Sequence, residues 1–125
     1  MNNVVRIMAV DDEPDILRIV ELSLLRWGYA VDAFTDPLAA LEHFKNNASE
    51  YSLIITDIRM PDMSGSELAK RAKKIRPDIK VLVMTAYEVD RELQKALPSI
   101  KEGFLQKPFH TTDVCIAVKR HLSAA

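Results

Sequence analysis

The stretch Val4-Val5-Arg6-Ile7-Met8-Ala9-Val10-Asp11-Asp12-Glu13-Pro14 decides how the rest of the chain reads. A mostly apolar run meets three consecutive acids, and a proline follows at once. An apolar run of this length, bounded by a polar break, reads as a buried strand. Pro14 stands where a helix begins well, in a first turn whose missing N–H costs nothing. The unit is a strand, an acidic turn and a helix that runs to about Trp27, where Gly28 ends it.

Working outward, the same unit recurs along the chain. Tyr29 to Phe34 alternates as a strand, and Asp36-Pro37 opens a second helix running to about Asn46-Asn47. Leu53 to Thr56 is a third strand, and a loop from Met60 to Gly65 leads to a helix that starts at Gly65 or Ser66 and stops before Arg76-Pro77-Asp78. Ile79 to Thr85 is the fourth strand, followed by a shorter helix around Val89 to Leu97 that Pro98 stops. Gly103 to Gln106 is a brief fifth strand, and the last helix runs from about Thr111 to Leu122. Five strand–helix units with short links imply a parallel sheet covered on both faces. The near-continuous apolar character of the strands agrees, because central parallel strands are buried on both sides. The expected fold is a doubly wound, five-stranded α/β domain, since a barrel needs eight strands.

The chain has 125 residues, 48% hydrophobic and 28% charged, with a formal net charge of −1. One domain over residues 1–125, with its core at about 4–122 and no output domain, fits that length. The charge balance gives no pull toward nucleic acid or anionic lipid, and Lys70-Arg71 with Lys73-Lys74 reads as a solvated helix face. Apolar runs fall short of the roughly 18 residues that span a bilayer. One cysteine, Cys115, excludes an internal disulfide and fits a reducing cytoplasm. No direct nucleic-acid or membrane partner is expected, and the expected location is cytoplasmic.

The chemistry lies at the strand ends. Asp11-Asp12, Asp57, Thr85 and Lys107 each stand at or just past the end of a predicted strand. In open α/β sheets the carboxyl ends of the strands form the ligand crevice. Two carboxylates about 5 Å apart repel by roughly 3 kcal/mol at an effective dielectric near 20, so three of them call for a cation. Mg²⁺ suits them: it is hard, prefers oxygen and keeps several waters, so one or two carboxylates and a phosphate can hold it. Two consecutive aspartates cannot both point inward from a regular strand, so one binds the metal directly and the other reaches it through water. Asp57 is the predicted nucleophile, exposed by the loop that follows it, because carboxylates form acyl phosphates. Lys107 offers an ammonium and Thr85 a hydroxyl, and phosphoryl transfer needs mainly such positioning and charge neutralisation. Any one of these residues alone reads as a turn or cap residue. Their occurrence at four strand ends is the signal.

These motifs make the chain resemble the receiver domains of two-component response regulators over nearly its whole length. The resemblance rests on Val10-Asp11-Asp12-Glu13, on Asp57-Ile58-Arg59-Met60-Pro61 with Gly65, on Thr85-Ala86 and on Lys107-Pro108-Phe109. It implies a flavodoxin-like (βα)5 fold with strand order 2-1-3-4-5. It also implies that Asp57 accepts a phosphoryl group from a histidine kinase or phosphotransfer protein. Asp12, Asp57 and the backbone carbonyl of Arg59 would then bind Mg²⁺ with Asp11 assisting, and Thr85 and Lys107 would contact the phosphoryl group. Phe104 matches the aromatic switch of the family, without the hydroxyl of the commoner tyrosine. The family's small-residue stretch before the last strand is replaced by Pro98-Ser99-Ile100-Lys101-Glu102-Gly103. Arg59 and Tyr87, each two residues past a catalytic position, are expected to tune phosphate loss. The surface of the fourth helix, fifth strand and fifth helix would carry the output, to a partner or through a homodimer. Such a domain assists its own phosphorylation and dephosphorylation but is not an enzyme with an external product.

Rival readings fit less well. A phosphatase of the haloacid-dehalogenase type places an acid two residues after its nucleophile, where this chain has Arg59. A flavodoxin-like cofactor carrier needs a phosphate loop after the first strand, where Asp11-Asp12-Glu13 would repel phosphate. A pseudo-receiver would lack part of the acidic set or the lysine. On a helical wheel Leu17, Val20, Leu24 and Trp27 form the expected core face of the first helix. Ile16, Ile19 and Leu22 step off that face beside Asp11-Asp12, and are expected to dock the phosphodonor. His43, His110 and His121 are expected to be exposed and without a role, and Cys115 to be a small buried apolar residue.

Overall fold

The computed structural model describes residues 4–85 and 104–123. Five strands form one parallel sheet in the order β2-β1-β3-β4-β5: β1 (Arg6–Val10), β2 (Ala30–Phe34), β3 (Leu53–Asp57), β4 (Lys80–Thr85) and β5 (Phe104–Gln106). Between them lie α1 (Pro14–Arg26), α2 (Pro37–Asn47) and α3 (Gly65–Ile75), and the C-terminal helix spans Thr111–Ser123. The doubly wound fold and its strand order are as expected. The helix expected around Val89 to Leu97 and the segment 98–103 lie outside the described residues. A short 3-10 turn, Ala48–Glu50, precedes β3 and had no clear periodic signal. Among the described residues, no helix is long and apolar enough to cross a membrane.

Period-2 alternation along the strands feeds two cores, one on each face of the sheet. Met8, Val10, Ile54, Val81 and Val83 pack with Leu41 and Phe44 of α2 and Leu68 and Ala72 of α3. Ile7, Ala9, Leu53, Ile55, Leu82 and Met84 pack with Leu17, Val20 and Leu24 of α1 and Val114 and Val118 of the C-terminal helix. Helix boundaries follow local chemistry. Asp36 caps α2 by accepting from Leu38 N–H at 3.0 Å, with Pro37 in the first turn. At the end of α1, Tyr29 N–H donates to Leu24 O and Gly28 N–H to Leu25 O, while Gly28 takes φ 92°. That is a Schellman cap, which a left-handed glycine allows. Lys80 Nζ donates to the carbonyls of His121 and Leu122, satisfying the last turn of the C-terminal helix.

Several expectations need correction. Trp27 is not on the core face: it is the C-cap residue of α1 and 45% exposed, since the helix ends at Arg26 and the wheel no longer applies. His43 is half-buried rather than exposed, packed between the rings of Phe34 and Tyr51 at 5.4 and 6.0 Å. His121 is likewise half-buried. Lys73 leaves the solvated face of α3 to donate to Ile79 O at 2.8 Å. Cys115 is buried, as expected.

Candidate functional site

Strand register brings the chemistry together. Val10 pairs with Thr56, Asp57 with Met84, and Thr85 with Gln106. Asp11, Asp57, Thr85 and Lys107 therefore lie side by side where β1, β3, β4 and β5 end. Lys107 N–H continues the ladder by donating to Thr85 O at 2.7 Å. Asp11 and Asp57 also continue the parity of Ile7–Ala9 and Leu53–Ile55, so both fall on the side of the sheet that faces α1.

Lys107 Nζ lies 2.9 Å from Asp11 Oδ2 and 3.4 Å from Asp57 Oδ1. One carboxylate oxygen from each of Asp11, Asp12 and Asp57 lies within 4.8 Å of the others. Asp11 is fully buried and Asp12 half-buried. Asp57, expected to be exposed, is only 6% exposed. It is the last residue of a strand buried along its whole length. Thr85 is buried beside it.

The hydrogen bonds assign roles to individual oxygens. Asp11 Oδ1 accepts from Glu13 N–H at 2.9 Å while Oδ2 holds the lysine, so both oxygens are engaged. Asp57 Oδ1 accepts from Ile58 N–H at 2.9 Å and faces the same lysine. Asp57 Oδ2 makes no hydrogen bond among the described residues. Burial, and then the field of Asp11, push the Asp57 carboxyl above its ordinary pKa, against the pull of Lys107 and Ile58 N–H. For Lys107, burial works against the charge, but hydrogen bonding to Asp11 and the fields of Asp11 and Asp57 outweigh it and raise its pKa. The ammonium therefore stays charged.

The carboxylate trio fits a hard divalent cation. Such an ion takes oxygen ligands, and each of the three aspartates offers one carboxylate oxygen to the same small region of the crevice. Three aspartates and one lysine carry a formal charge of −2, which such an ion neutralises. With both oxygens of Asp11 engaged by Lys107 and Glu13 N–H, Asp12 and Asp57 are the carboxylates with an oxygen left to offer.

Gly65 stands at a close backbone approach that the sequence does not reveal. A Cβ there would lie 2.1 Å from the backbone oxygen of Asp57 and 3.0 Å from Ile58 Cα. Gly65 N–H donates to Ile58 O at 2.8 Å, so α3 starts directly against the end of β3. Ser64 caps that start by accepting from Glu67 N–H at 3.1 Å. The Ser64-x-x-Glu67 spacing matches one half of a capping box. Arg59 is exposed on the loop after Asp57, Phe104 stands in β5 opposite Val83 with its side chain outside the described residues, and Tyr87 lies outside them altogether. On α1, Ile19 and Leu22 are exposed while Ile16 is half-buried.

Residues 7–119 match the family model of the response regulator receiver domain. The chain belongs to that family. As a receiver domain it is part of two-component signalling, and the family is regulatory. It is 33% identical over 120 residues to the response regulator receiver protein CpdR of Brucella abortus, covering 96% of this chain and 98% of that protein. It is 38% identical over 104 residues to the transcriptional regulatory protein ZraR of Klebsiella oxytoca, covering 83% of this chain but only 23% of ZraR. A crystal structure of a CheY-like receiver domain protein from Methanospirillum hungatei superposes with a TM-score of 0.83 at 30% identity, covering 95% of this chain and 94% of that one.

Proposed function

We propose that Asp57 is the phosphoryl acceptor of a signalling switch, loaded by a histidine kinase or phosphotransfer protein with Mg²⁺ in the acidic crevice. The observation that carries this is the lysine shared by two buried carboxylates: Lys107 Nζ sits 2.9 Å from Asp11 and 3.4 Å from Asp57. In the transfer Asp57 Oδ2 attacks phosphorus, the P–N bond to the donor imidazole breaks, and its electron pair returns to the ring nitrogen. Bound Mg²⁺ would supply positive charge to the phosphoryl oxygens, held by Asp12, Asp57 and the backbone carbonyl of Arg59 with Asp11 assisting. Lys107 neutralises the product, and Thr85 donates its hydroxyl to a phosphoryl oxygen.

The readout is a shift between two pre-existing states. Movement of Thr85 toward the phosphoryl group makes room for Phe104, and the surface around β5, the C-terminal helix and the Val89–Leu97 segment changes. That surface would engage a downstream protein or domain, or a second copy of the chain. The phosphodonor docks on α1 at Ile16, Ile19 and Leu22, next to the crevice. The chain acts as a single receiver domain of the cytoplasm, with no external product. Incubation with acetyl phosphate and Mg²⁺ followed by intact-mass measurement tests this reading. Wild type gains one phosphoryl group, and Asp57→Asn gains none. Equal labelling of both would refute the assignment.

A further inference from the structure

Thr56 immediately precedes Asp57 and is fully buried. Strand alternation puts its side chain on the sheet face opposite Asp57, with Val10 of β1 and Val83 of β4 as lateral neighbours. Both valines belong to the core beneath α2 and α3. A valine at position 56 would fit that setting with the same β-branched shape and strand preference. A hydroxyl there must be desolvated, a cost that a hydrogen bond has to offset. The bond it makes is specific: Thr56 Oγ1 donates to the backbone oxygen of Asp57 at 2.9 Å.

That oxygen belongs to the peptide unit that also holds the Asp57 carboxylate. Ile58 N–H, at the other end of the unit, donates to Asp57 Oδ1 at 2.9 Å and shares its proton with Met84 O at 3.1 Å. In a trans peptide the N–H and C=O point opposite ways. With the N–H turned toward β4, the Asp57 carbonyl faces the β1 side. Pairing of β3 with β1 stops at Thr56, opposite Val10, one residue too early to satisfy it. The Thr56 hydroxyl stands in for that missing ladder bond. Gly65 closes on the same oxygen, so near that a Cβ would lie 2.1 Å away. The peptide plane is held at its oxygen by both residues. Rotation toward a regular β4 ladder would move the N–H off Oδ1 and let the carboxylate turn.

We propose that Thr56 is a positioning residue for phosphoryl transfer: its hydroxyl sets the tilt of the Asp57–Ile58 peptide, so that Ile58 N–H tethers Asp57 Oδ1 and leaves Oδ2 for attack on phosphorus. This rests on Asp57 as the phosphoryl acceptor. Thr56 lies across the sheet from the crevice, so it acts through the backbone and touches neither the phosphoryl group nor the metal. A nucleophile held near its attack geometry has fewer rotations to lose on the way to the transition state.

The test compares Thr56→Val, Thr56→Ala and Thr56→Ser, with urea denaturation showing which are folded under the assay conditions. Acetyl phosphate labelling with Mg²⁺ should slow about fivefold in Thr56→Val and Thr56→Ala, the size of one neutral hydrogen bond, and Thr56→Ser should restore it. A second readout needs neither metal nor phosphodonor. In two-dimensional NMR, Asp57→Asn changes the Ile58 amide shift by altering the group that its N–H meets. That change should shrink at least about twofold when Thr56→Val or Thr56→Ala is already present, and keep its size with Thr56→Ser. A threonine that merely filled space would leave it intact. Wild-type labelling in a folded Thr56→Val, a Thr56→Ser as slow as Thr56→Val, or an Asp57→Asn effect on Ile58 independent of residue 56 would each overturn the proposal. Thr56→Ala decides the matter if Thr56→Val does not fold. Should wild type itself gain no phosphoryl group, the acceptor reading fails, while the amide comparison still decides whether Thr56 sets the peptide.

Discussion

Replacing Gly65 with alanine should damage both stability and phosphorylation through a single contact. The new Cβ would lie 2.1 Å from Asp57 O and 3.0 Å from both Asp57 C and Ile58 Cα, all backbone atoms. A carbon and an oxygen need more than 3 Å, so either the start of α3 or the end of β3 must move by about 1 Å, an overpacking of the kind that costs about 1–3 kcal/mol. The Gly65 N–H to Ile58 O bond at 2.8 Å is stretched in the process, which adds about 1 kcal/mol. Better helix propensity and a stiffer unfolded chain return at most about 1 kcal/mol. The net loss is about 2 kcal/mol, or a drop in melting temperature of about 8 °C for a domain of this size. Because the displaced atoms carry Asp57, acetyl phosphate labelling should slow about tenfold even at temperatures where the variant is fully folded. Urea denaturation and labelling kinetics on the same samples check both parts. A variant as stable as wild type and labelled at the same rate would refute the reasoning.

Other perturbations follow from the same geometry. Mg²⁺ should raise the melting temperature of wild type by mass action on the folded state, with much less effect in Asp12→Ala, read by thermal denaturation against metal concentration. Lys107→Met strips the cation from two buried carboxylates, and should cost about 3 kcal/mol in metal-free buffer, much of it restored by Mg²⁺. Burial favours protonation of Asp32, but hydrogen bonds from Tyr51 at 2.5 Å and from Arg6, with the charge of Arg6, outweigh it and lower the pKa. Its stabilisation is therefore complete above the ordinary value of 3.8 and is lost as pH falls through the lower folded value. Asp32→Asn should flatten the acid limb of the stability curve, measured by denaturation from pH 6 down to about pH 2.

The sheet was legible because strands and helices carry different hydrophobic periods, and because Pro14, Pro37, Gly28 and Pro77 mark the joints. The crevice was legible for a second reason: in a parallel sheet, residues just past each strand are neighbours whatever the loop lengths. What escaped depends on depth and on the partner helix. Asp57 ends a strand buried along its whole length, and that depth is set by packing that no residue type announces. The exposure of Trp27 follows from a helix that ends one residue sooner than expected. His43 looked idle as an isolated letter, and only the fold sets Phe34 and Tyr51 against its ring. Arg26 and Cys115 share a groove although nearly ninety positions separate them, so only tertiary structure could join them.

Borohydride reduction of the labelled protein, followed by peptide mapping, bears most directly on the acyl phosphate. An aspartyl phosphate is reduced to homoserine, while a free carboxylate is untouched. After treatment with acetyl phosphate and Mg²⁺, homoserine should replace aspartate at position 57 and nowhere else, and omission of Mg²⁺ should prevent it. Homoserine at Asp11 or Asp12, or an unmodified Asp57 in protein that has gained a phosphoryl group, would contradict the account.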